Sequence, residues 1–451
     1  MAMAVALVLL VVGSVLFHYL SPWYFTPIAS NWGTIDDTVS ITFWVTGFVF
    51  VVVNLFMAWC VLRYRHGKVK SAHYEPENKK LEGWLVGLTS VGVAAMLTPG
   101  LFAWAKFIDV PKDAGVFEVV GRQWNFNYRF PGEDGVLGTV DARFISPANP
   151  FGINPDDPHG RDDVLVSAQE VHLPIGKPTK AELRSIDVLH DFTVPQFRSK
   201  MNMAPGLVTY VWFTPTRTGT FDAFCEQLCG IAHYAMRGTV IVEDDAAFQK
   251  WKSGYPTFAQ TQADPPGDAT AGAPLYAVCA ACHGAQAEGN PALNAPKLSG
   301  QQDWYLKRQL RNFKAGSRGV HEKDVYGKMM APMAATLPDD TAINNVIAYI
   351  ATLPDTPAPA TVKGNAKDGH GFYENCAACH GANGQGIWAT NAPRLKGMSD
   401  WYMVTQLNNF KHGIRGIDRK DSYGPQMGAI AAMLDTDKMT TDIIAYINTL
   451  K

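Results

Sequence analysis

"CEQLCGIAHYAM", residues 225–236, is the stretch on which the reading of this chain turns. It places Cys225, Cys229, His233 and Met236 on one short run, and "DVLHDF" upstream adds His190. Two thiolates, two imidazoles and a thioether are soft to borderline donors, which suit copper far better than magnesium or calcium. The set is one donor too many for a blue-copper centre, which takes a single Cys. Two bridging thiolates can instead hold two coppers, with one imidazole on each and weak axial donors from Met236 and a backbone carbonyl. A metal pair that shares its electron changes geometry little on reduction, so the chemistry implied is fast one-electron transfer. Around this stretch, "VFEVVGRQWNFNYRF", "GLVTYVWFTP" and "RGTVIVED" alternate Val, Phe, Thr and Tyr between Gly and Pro breaks. That pattern predicts an antiparallel barrel or sandwich over residues 115–250. Residues 131–163, rich in Pro, Gly, Asn and Asp, predict a long insertion loop within it.

The chain has 451 residues, 47% of them hydrophobic, with 39 basic against 41 acidic side chains. It can build about three domains and is not disordered over most of its length. The near balance of charge excludes the basic surplus that a nucleic-acid binder would carry. Six of the seven cysteines fall into tight pairs, Cys225 with Cys229, Cys279 with Cys282 and Cys376 with Cys379. Such spacing is too close for an ordinary disulfide framework and points to metal or cofactor attachment. Cys60, inside an apolar run, reads as a small hydrophobe.

Beyond residue 266 the chain repeats itself. "CAACH" occurs as Cys279-Cys282-His283 and again as Cys376-Cys379-His380, 97 positions on, and more than half of the residues that follow match at the same offset. The predicted units are residues 267–353 and 364–451, with 251–266 and the Pro-rich 354–363 as linkers. Two thiols on one helical turn can reach the two vinyl groups of a heme, holding the adjoining His beneath the iron. Zinc is disfavoured, because no further Cys or His pair completes either tetrahedron. The sixth ligand should be a thioether, and the repeat selects it: Met330 and Met427 share the offset, whereas Met329 faces Gln426, Met333 faces Ile430 and Met433 faces Thr336. Residues 107–264 are net acidic and each repeat is slightly basic. That imbalance would favour docking of the repeats on the barrel.

Three apolar stretches precede the barrel, at 1–20, 41–62 and 84–102, the latter two forming a hairpin within residues 41–105. The second and third reach the roughly 20 residues of a membrane span. The loop between them carries Arg63, Arg65, Lys68, Lys70, Lys79 and Lys80, which places it in the cytoplasm and everything after residue 102 on the outer side. The first stretch lacks a basic start, and Trp23, Tyr24 and Phe25 follow it like an interfacial belt. It is expected to be a retained helix, with a cleaved signal as the alternative. Glu82 opens the last apolar stretch, where a helix N-terminus favours a carboxylate.

The repeats resemble class I c-type cytochromes of the tandem cytochrome c4-like kind. The resemblance rests on the paired attachment motifs, "NAPKLSG" with "NAPRLKG", "QLRNFKAGSRG" with "QLNNFKHGIRG", and the pairs Gly272 with Tyr276 and Gly369 with Tyr373. It implies that the carbonyls of Pro296 and Pro393 orient the proximal His rings and that Arg318 and Arg415 approach heme propionates. Residues from Leu81 to about Val242 resemble subunit II of heme-copper oxidases, with its binuclear Cu-A cupredoxin domain. The ligand set this implies is His190, Cys225, Gln227 through its carbonyl, Cys229, His233 and Met236. "GRQWNF" resembles the family's aromatic segment, which makes Trp124 the residue that receives electrons. Glu82 in "LEGW" resembles the carboxylate at the mouth of the K proton channel. The chain departs from the family at Gln227, where most members carry a Glu that also binds Mg or Mn beside subunit I. A neutral amide is a poorer ligand for a hard dication, which puts the non-redox ion in doubt.

The expectation is a multidomain membrane protein: N-terminal transmembrane helices, an all-β cupredoxin barrel and two all-α class I cytochrome c domains. As the resemblance implies, it would be the electron-input subunit of a proton-translocating cytochrome c oxidase in a bacterial inner membrane, with copper and hemes on the periplasmic side. Electrons would come from a c-type cytochrome, a quinol-oxidising complex or another redox protein. They would pass through two covalently bound c hemes and two coppers to subunit I, with subunit III as a further partner. The same role in a Cu-A-type nitric oxide reductase is the alternative. A copper-delivery module would leave His233, Met236 and the hemes unexplained, and a free-standing electron carrier would purify alone.

Overall fold

The computed structural model describes residues 1–21, 26–65, 67–68, 76–418 and 420–450. Trp23, Tyr24, Phe25 and Lys70 lie outside the described residues. The chain opens with α1 (Ala2–Leu20), α2 (Gly33–Arg63) and α3 (Lys79–Ile108), each long and apolar enough to cross a membrane. Their side chains, among them Trp44, Phe48, Trp84 and Leu88, stay exposed on the protein. Apart from Ala4, Val11 and Ala58, little of their surface is covered, which is the make-up of helices whose apolar side chains can face lipid. α2 begins at Gly33, well before the apolar run at Ile41, and its early polar turns reach the barrel. Arg198 grips Asp36 through Nε and Nη2 at 2.6 and 2.8 Å, a bidentate clamp between helix and sandwich. Trp32 Nε1 donates to Trp212 O at 2.8 Å, and Tyr210 Oη to Ile108 O at 2.9 Å.

The β region contains β1 (Gly115–Arg122), β2 (Asn125–Phe130), β3 (Val164–Val166), β4 (Glu170–Pro174), β5 (Thr179–Ser185), β6 (His190–Val194), β7 (Ser199–Met203), β8 (Thr209–Phe213), β9 (Gly219–Phe224) and β10 (Arg237–Glu243). They form two five-stranded sheets, ordered β3-β2-β1-β5-β8 and β4-β10-β9-β6-β7. Between the sheets lie Phe117, Val119, Phe126, Tyr128, Leu173, Val211 and Phe213. Burying each such side chain contributes about 1.5–3 kcal/mol. The fold departs from the antiparallel expectation in two places, since β1 pairs with β5 and β4 with β10 in parallel. Alternation along a strand reports which face is buried and nothing about a neighbour reached by a long crossover.

The insertion after β2 lies over the outer face of its sheet, where Phe151 and Ile153 pack with Val120, Leu165 and Phe258. It seals a charge network: Arg129 reaches Glu118 at 2.8 Å and Asp163 at 2.6 Å, and Arg184 reaches Glu118 at 2.9 Å. Burial would raise the Glu118 carboxyl, but the two guanidinium groups outweigh it and hold the group below its ordinary range. At Asp163 burial prevails, and the group is pushed up to about 6.

α4 (Asp245–Lys252) and α5 (Phe258–Gln262) follow. The stretch read as a linker thus contains a helix, capped by Thr257 and Gln260 and anchored by the buried Phe258. The repeats consist of α6 (Ala269–His283), α7 (Asp303–Lys314), α8 (Val325–Ala335) and α9 (Asp340–Ala351), then α10 (Ala366–His380), α11 (Asp400–Lys411), α12 (Gly424–Ala431) and α13 (Asp437–Ile447). α6 crosses α9 at Gly272, where an added Cβ would lie 1.9 Å from Asn345 O; Gly369 is equally confined by Asp442 O, at 1.9 Å. Only glycine permits so close a crossing.

Candidate copper and heme sites

β6 opens on His190, and the loop leaving β9 carries Cys225 and Cys229, so adjacent strands present the donors at one end of the sandwich. The sulfurs of Cys225 and Cys229 lie 3.7 Å apart. His190 Nδ1 is 4.0 Å from Cys225 Sγ, and His233 Nδ1 is 3.4 Å from Cys229 Sγ. Met236 Sδ lies 3.9 Å from Cys229 Sγ, and Gln227 O lies 3.2 Å from Cys225 Sγ. All six groups expected from the sequence therefore converge. The donor set fits copper, because two thiol sulfurs and an imidazole nitrogen lie within 4.8 Å of one another, with a second imidazole and a thioether beside them. The shared sulfur–sulfur contact lowers the Cys225 thiol and, together with burial, raises that of Cys229.

Sequence reasoning named Trp124 and missed the other groups that hold this loop. Asp187 Oδ1 bonds His190 Nε2 at 2.8 Å, which leaves Nδ1 toward the sulfurs. The signal was available, because Asp187 stands three residues before His190 in "DVLHDF". Asp191 Oδ1 accepts from Glu226 N at 2.5 Å, and the Glu226 carboxylate turns outward to Lys200 at 3.0 Å. Gln123 Nε2 and Trp124 Nε1 both donate to Cys229 O, at 2.7 and 3.0 Å. Trp124 is thus buried directly against the loop of Cys225 and Cys229.

In each repeat the attachment helix ends on its histidine. His283 Nδ1 lies 2.7 Å from Pro296 O and His380 Nδ1 lies 2.7 Å from Pro393 O, which frees each Nε2. Burial holds both rings below the usual imidazole range, in the neutral form an iron ligand needs. Both histidines, all four repeat cysteines, Met330 and Met427 line one continuous cavity of about 640 Å³. Met330 is half-buried, whereas Met329 and Met333, which also reach the cavity, are exposed.

Arg318 and Arg415 are buried between the repeats and reach across reciprocally. Arg318 donates to Gln309 Oε1 at 2.6 Å in its own repeat and to Tyr402 Oη at 2.6 Å in the other. Arg415 donates to Gln406 Oε1 at 2.8 Å, and across to Gln309 Oε1 at 2.8 Å and Tyr305 Oη at 3.2 Å. The Nε of each arginine is buried without a hydrogen-bond partner. Two orphaned cationic N–H groups in a cavity this size fit heme carboxylates. Tyr305 with Tyr402 and Gln309 with Gln406 share the offset of 97, so the repeat register could have found them. Glu82 sits exposed in the first turn of α3, whose N-cap Asn78 accepts from Leu81 N.

Comparison with known proteins gives two family matches: "Cytochrome C oxidase subunit II, periplasmic domain" over residues 116–244, and "Cytochrome c" over 269–354 and 366–451. The alternative cytochrome c oxidase subunit 2 of Bradyrhizobium diazoefficiens is 60% identical over 259 residues, which are 57% of this chain and 94% of that one. Cytochrome c4 of Azotobacter vinelandii is 34% identical over 197 residues, 41% of this chain and 90% of its own. The crystal structure of reduced recombinant cytochrome c4 from Pseudomonas stutzeri is 33% identical, over 41% of this chain and 100% of that one, with a TM-score of 0.33.

Proposed function

Because the chain belongs to the cytochrome c oxidase subunit II family and carries cytochrome c domains behind the family's periplasmic part, we propose that it is the electron-input subunit of a heme-copper terminal oxidase. In this reading it takes electrons from a donor on the periplasmic side, passes them through two c hemes to a binuclear copper centre, and delivers them to an oxygen-reducing subunit I. The observation that carries it is the shared cavity: Trp124 and Ala232 of the copper domain line the same space as His283 and His380. Redox groups held around one cavity lie within electron-transfer reach of one another.

Copper and heme c would supply the one-electron chemistry, and the chain's residues do the holding. His190, Cys225, Gln227 O, Cys229, His233 and Met236 would hold copper, with Asp187 fixing the His190 ring. Cys279, Cys282, His283 and Met330 would hold one heme, and Cys376, Cys379, His380 and Met427 the other. Pro296 and Pro393 orient the rings, and Arg318 and Arg415 offer their free Nε groups to carboxylates. We take residues 115–250, 267–353 and 364–451 as the three outer domains and α1 to α3 as membrane spans. Glu82 would serve subunit I as a proton inlet, a role testable only in the assembled complex. A heme and copper inventory of the complex purified through this chain, assayed with oxygen and with nitric oxide, tests the reading. Turnover of nitric oxide in place of oxygen would move it to a nitric oxide reductase, and purification of the chain alone would make it a free carrier.

Two substitutions probe the ligand assignments. Met330→Leu and Met427→Leu should each remove one thioether-to-iron charge-transfer band and lower that heme's potential, because thioether ligation raises it. Met333→Leu should change neither, and damage there would move the axial assignment. Gln227→Glu should keep the copper signal, which needs only the backbone carbonyl, and increase Mn occupancy beside subunit I. Metal analysis and paramagnetic resonance after growth in Mn-rich medium would check this. Tightly held Mn in the wild type would mean that another oxygen substitutes for the missing carboxylate.

A further inference from the structure

The two repeats share one fold, yet they meet the copper domain differently. Tyr234 stands beside His233 in the copper loop, and its hydroxyl reaches Ala429 O at 2.9 Å and Met433 Sδ at 3.1 Å, on and just beyond α12. Arg122 of β1 donates to Tyr423 Oη at 2.6 Å, and its guanidinium lies 5.5 Å from the Tyr423 ring and 5.9 Å from that of Trp388. The Ser422 hydroxyl donates to Ser167 O. Cys379, an attachment thiol of the C-terminal repeat, and Ile430 pack against the sandwich core itself. The corresponding residues of the N-terminal repeat, Val325, Tyr326, Met329 and Met333, lie at the rim of the shared cavity and stay exposed. Tyr326 occupies the position of Tyr423, 97 residues earlier, and there it is 47% exposed.

We infer that the C-terminal repeat is the unit that delivers electrons to the copper loop, and that the N-terminal repeat is the unit that receives them from outside. This rests on the electron-input reading and adds a direction to it. The transfer moves one electron at a time from the reduced C-terminal site to the oxidised copper site, with no bond made or broken. Tyr234 and Arg122 act as positioning residues, since they hold α12 and the Cys379 thiol against the copper domain. The Arg308 guanidinium of the N-terminal repeat lies 4.6 Å from the centroid of the Tyr423 ring, which Arg122 also approaches, so this one ring bridges all three domains.

The test is the relaxation of the copper-pair resonance in the intact complex, because a nearby oxidised low-spin heme speeds it and the effect falls steeply with distance. Cys376→Ser with Cys379→Ser should remove the fast component, and Cys279→Ser with Cys282→Ser should leave it. The reverse result would overturn the order. Should a heme-free repeat unfold, hydrogen exchange on the wild-type complex gives an independent measure. Residues 424–433 should be better protected than 327–336, and Tyr234→Phe with Arg122→Gln should accelerate exchange in 424–433 and 230–236 while sparing 327–336. Equal protection, or acceleration confined to 327–336, would refute the contact. If no coupled copper signal appears at all, the electron-input reading fails; if it appears and ignores the C-terminal repeat, only the direction does.

Discussion

On the proposed reading, Cys225→Ser or Cys229→Ser should abolish the resonance of two coppers sharing one unpaired electron and stop electron delivery to an oxygen-reducing partner. Both sulfurs sit 3.7 Å apart, buried, with every other donor gathered around them. Serine supplies a hard oxygen, which stays protonated at neutral pH and cannot bridge two soft ions. The loop itself survives, because Trp124 and Gln123 bond the Cys229 carbonyl and Asp191 bonds the Glu226 amide. Copper analysis with paramagnetic resonance reads the loss, and circular dichroism of the same samples checks the fold. A milder companion is Asp187→Asn, which leaves all six donors in place and weakens only the orientation of His190. Copper affinity should fall by about 10–100-fold, as when other outer partners of metal ligands are removed. A Cys225→Ser chain that kept the shared-electron signal would refute the two-thiolate bridge.

Cys376→Ser with Cys379→Ser should lower the covalently bound heme from the proposed two per chain to one, measured as heme that survives acid-acetone extraction. The consequence for stability is larger than for an ordinary surface change. The core of the C-terminal repeat is small, with Tyr373, Met403, Ile443, Ile444 and Ile447 buried, and its inner walls face the cavity. With no heme in place, those apolar walls meet water, and the missing burial is worth roughly 25 cal/mol per Å². Limited proteolysis should therefore cut within 366–450 before it cuts the barrel. Two covalent hemes remaining, or none in the wild type, would refute the attachment assignment.

Much of this protein was legible because the informative residues are neighbours along the chain. A thiol pair followed by His, repeated at 97, declares its cofactor chemistry locally, and so does "CEQLCGIAHYAM" with its crowd of soft donors. Apolar length marked the three long helices for the same reason, although not where they start: α2 runs past its apolar stretch because Asp36 has Arg198 to meet. The parallel pairings of β1 with β5 and β4 with β10 were invisible, since they join strands far apart in sequence. Asp187 stood only three residues from its partner and was still unmarked, because an aspartate in a turn is ordinary until a ring nitrogen is found against it.

By itself the sequence determined the cofactor classes, the candidate donors, the duplication and the apolar helices, all properties carried by residue type and spacing. The tertiary structure alone decided which repeat packs against the loop of Cys225 and Cys229. Tyr326 and Tyr423 are the same residue at the same place in two copies of one fold, yet one is exposed and the other is held by Arg122 of β1. Nothing in a tyrosine's identity says which arginine will lie over its ring. That depends on how separate domains pack, and packing is set by whole surfaces, among them Trp388, Ile430 and Ser422, that become one surface only when the chain folds.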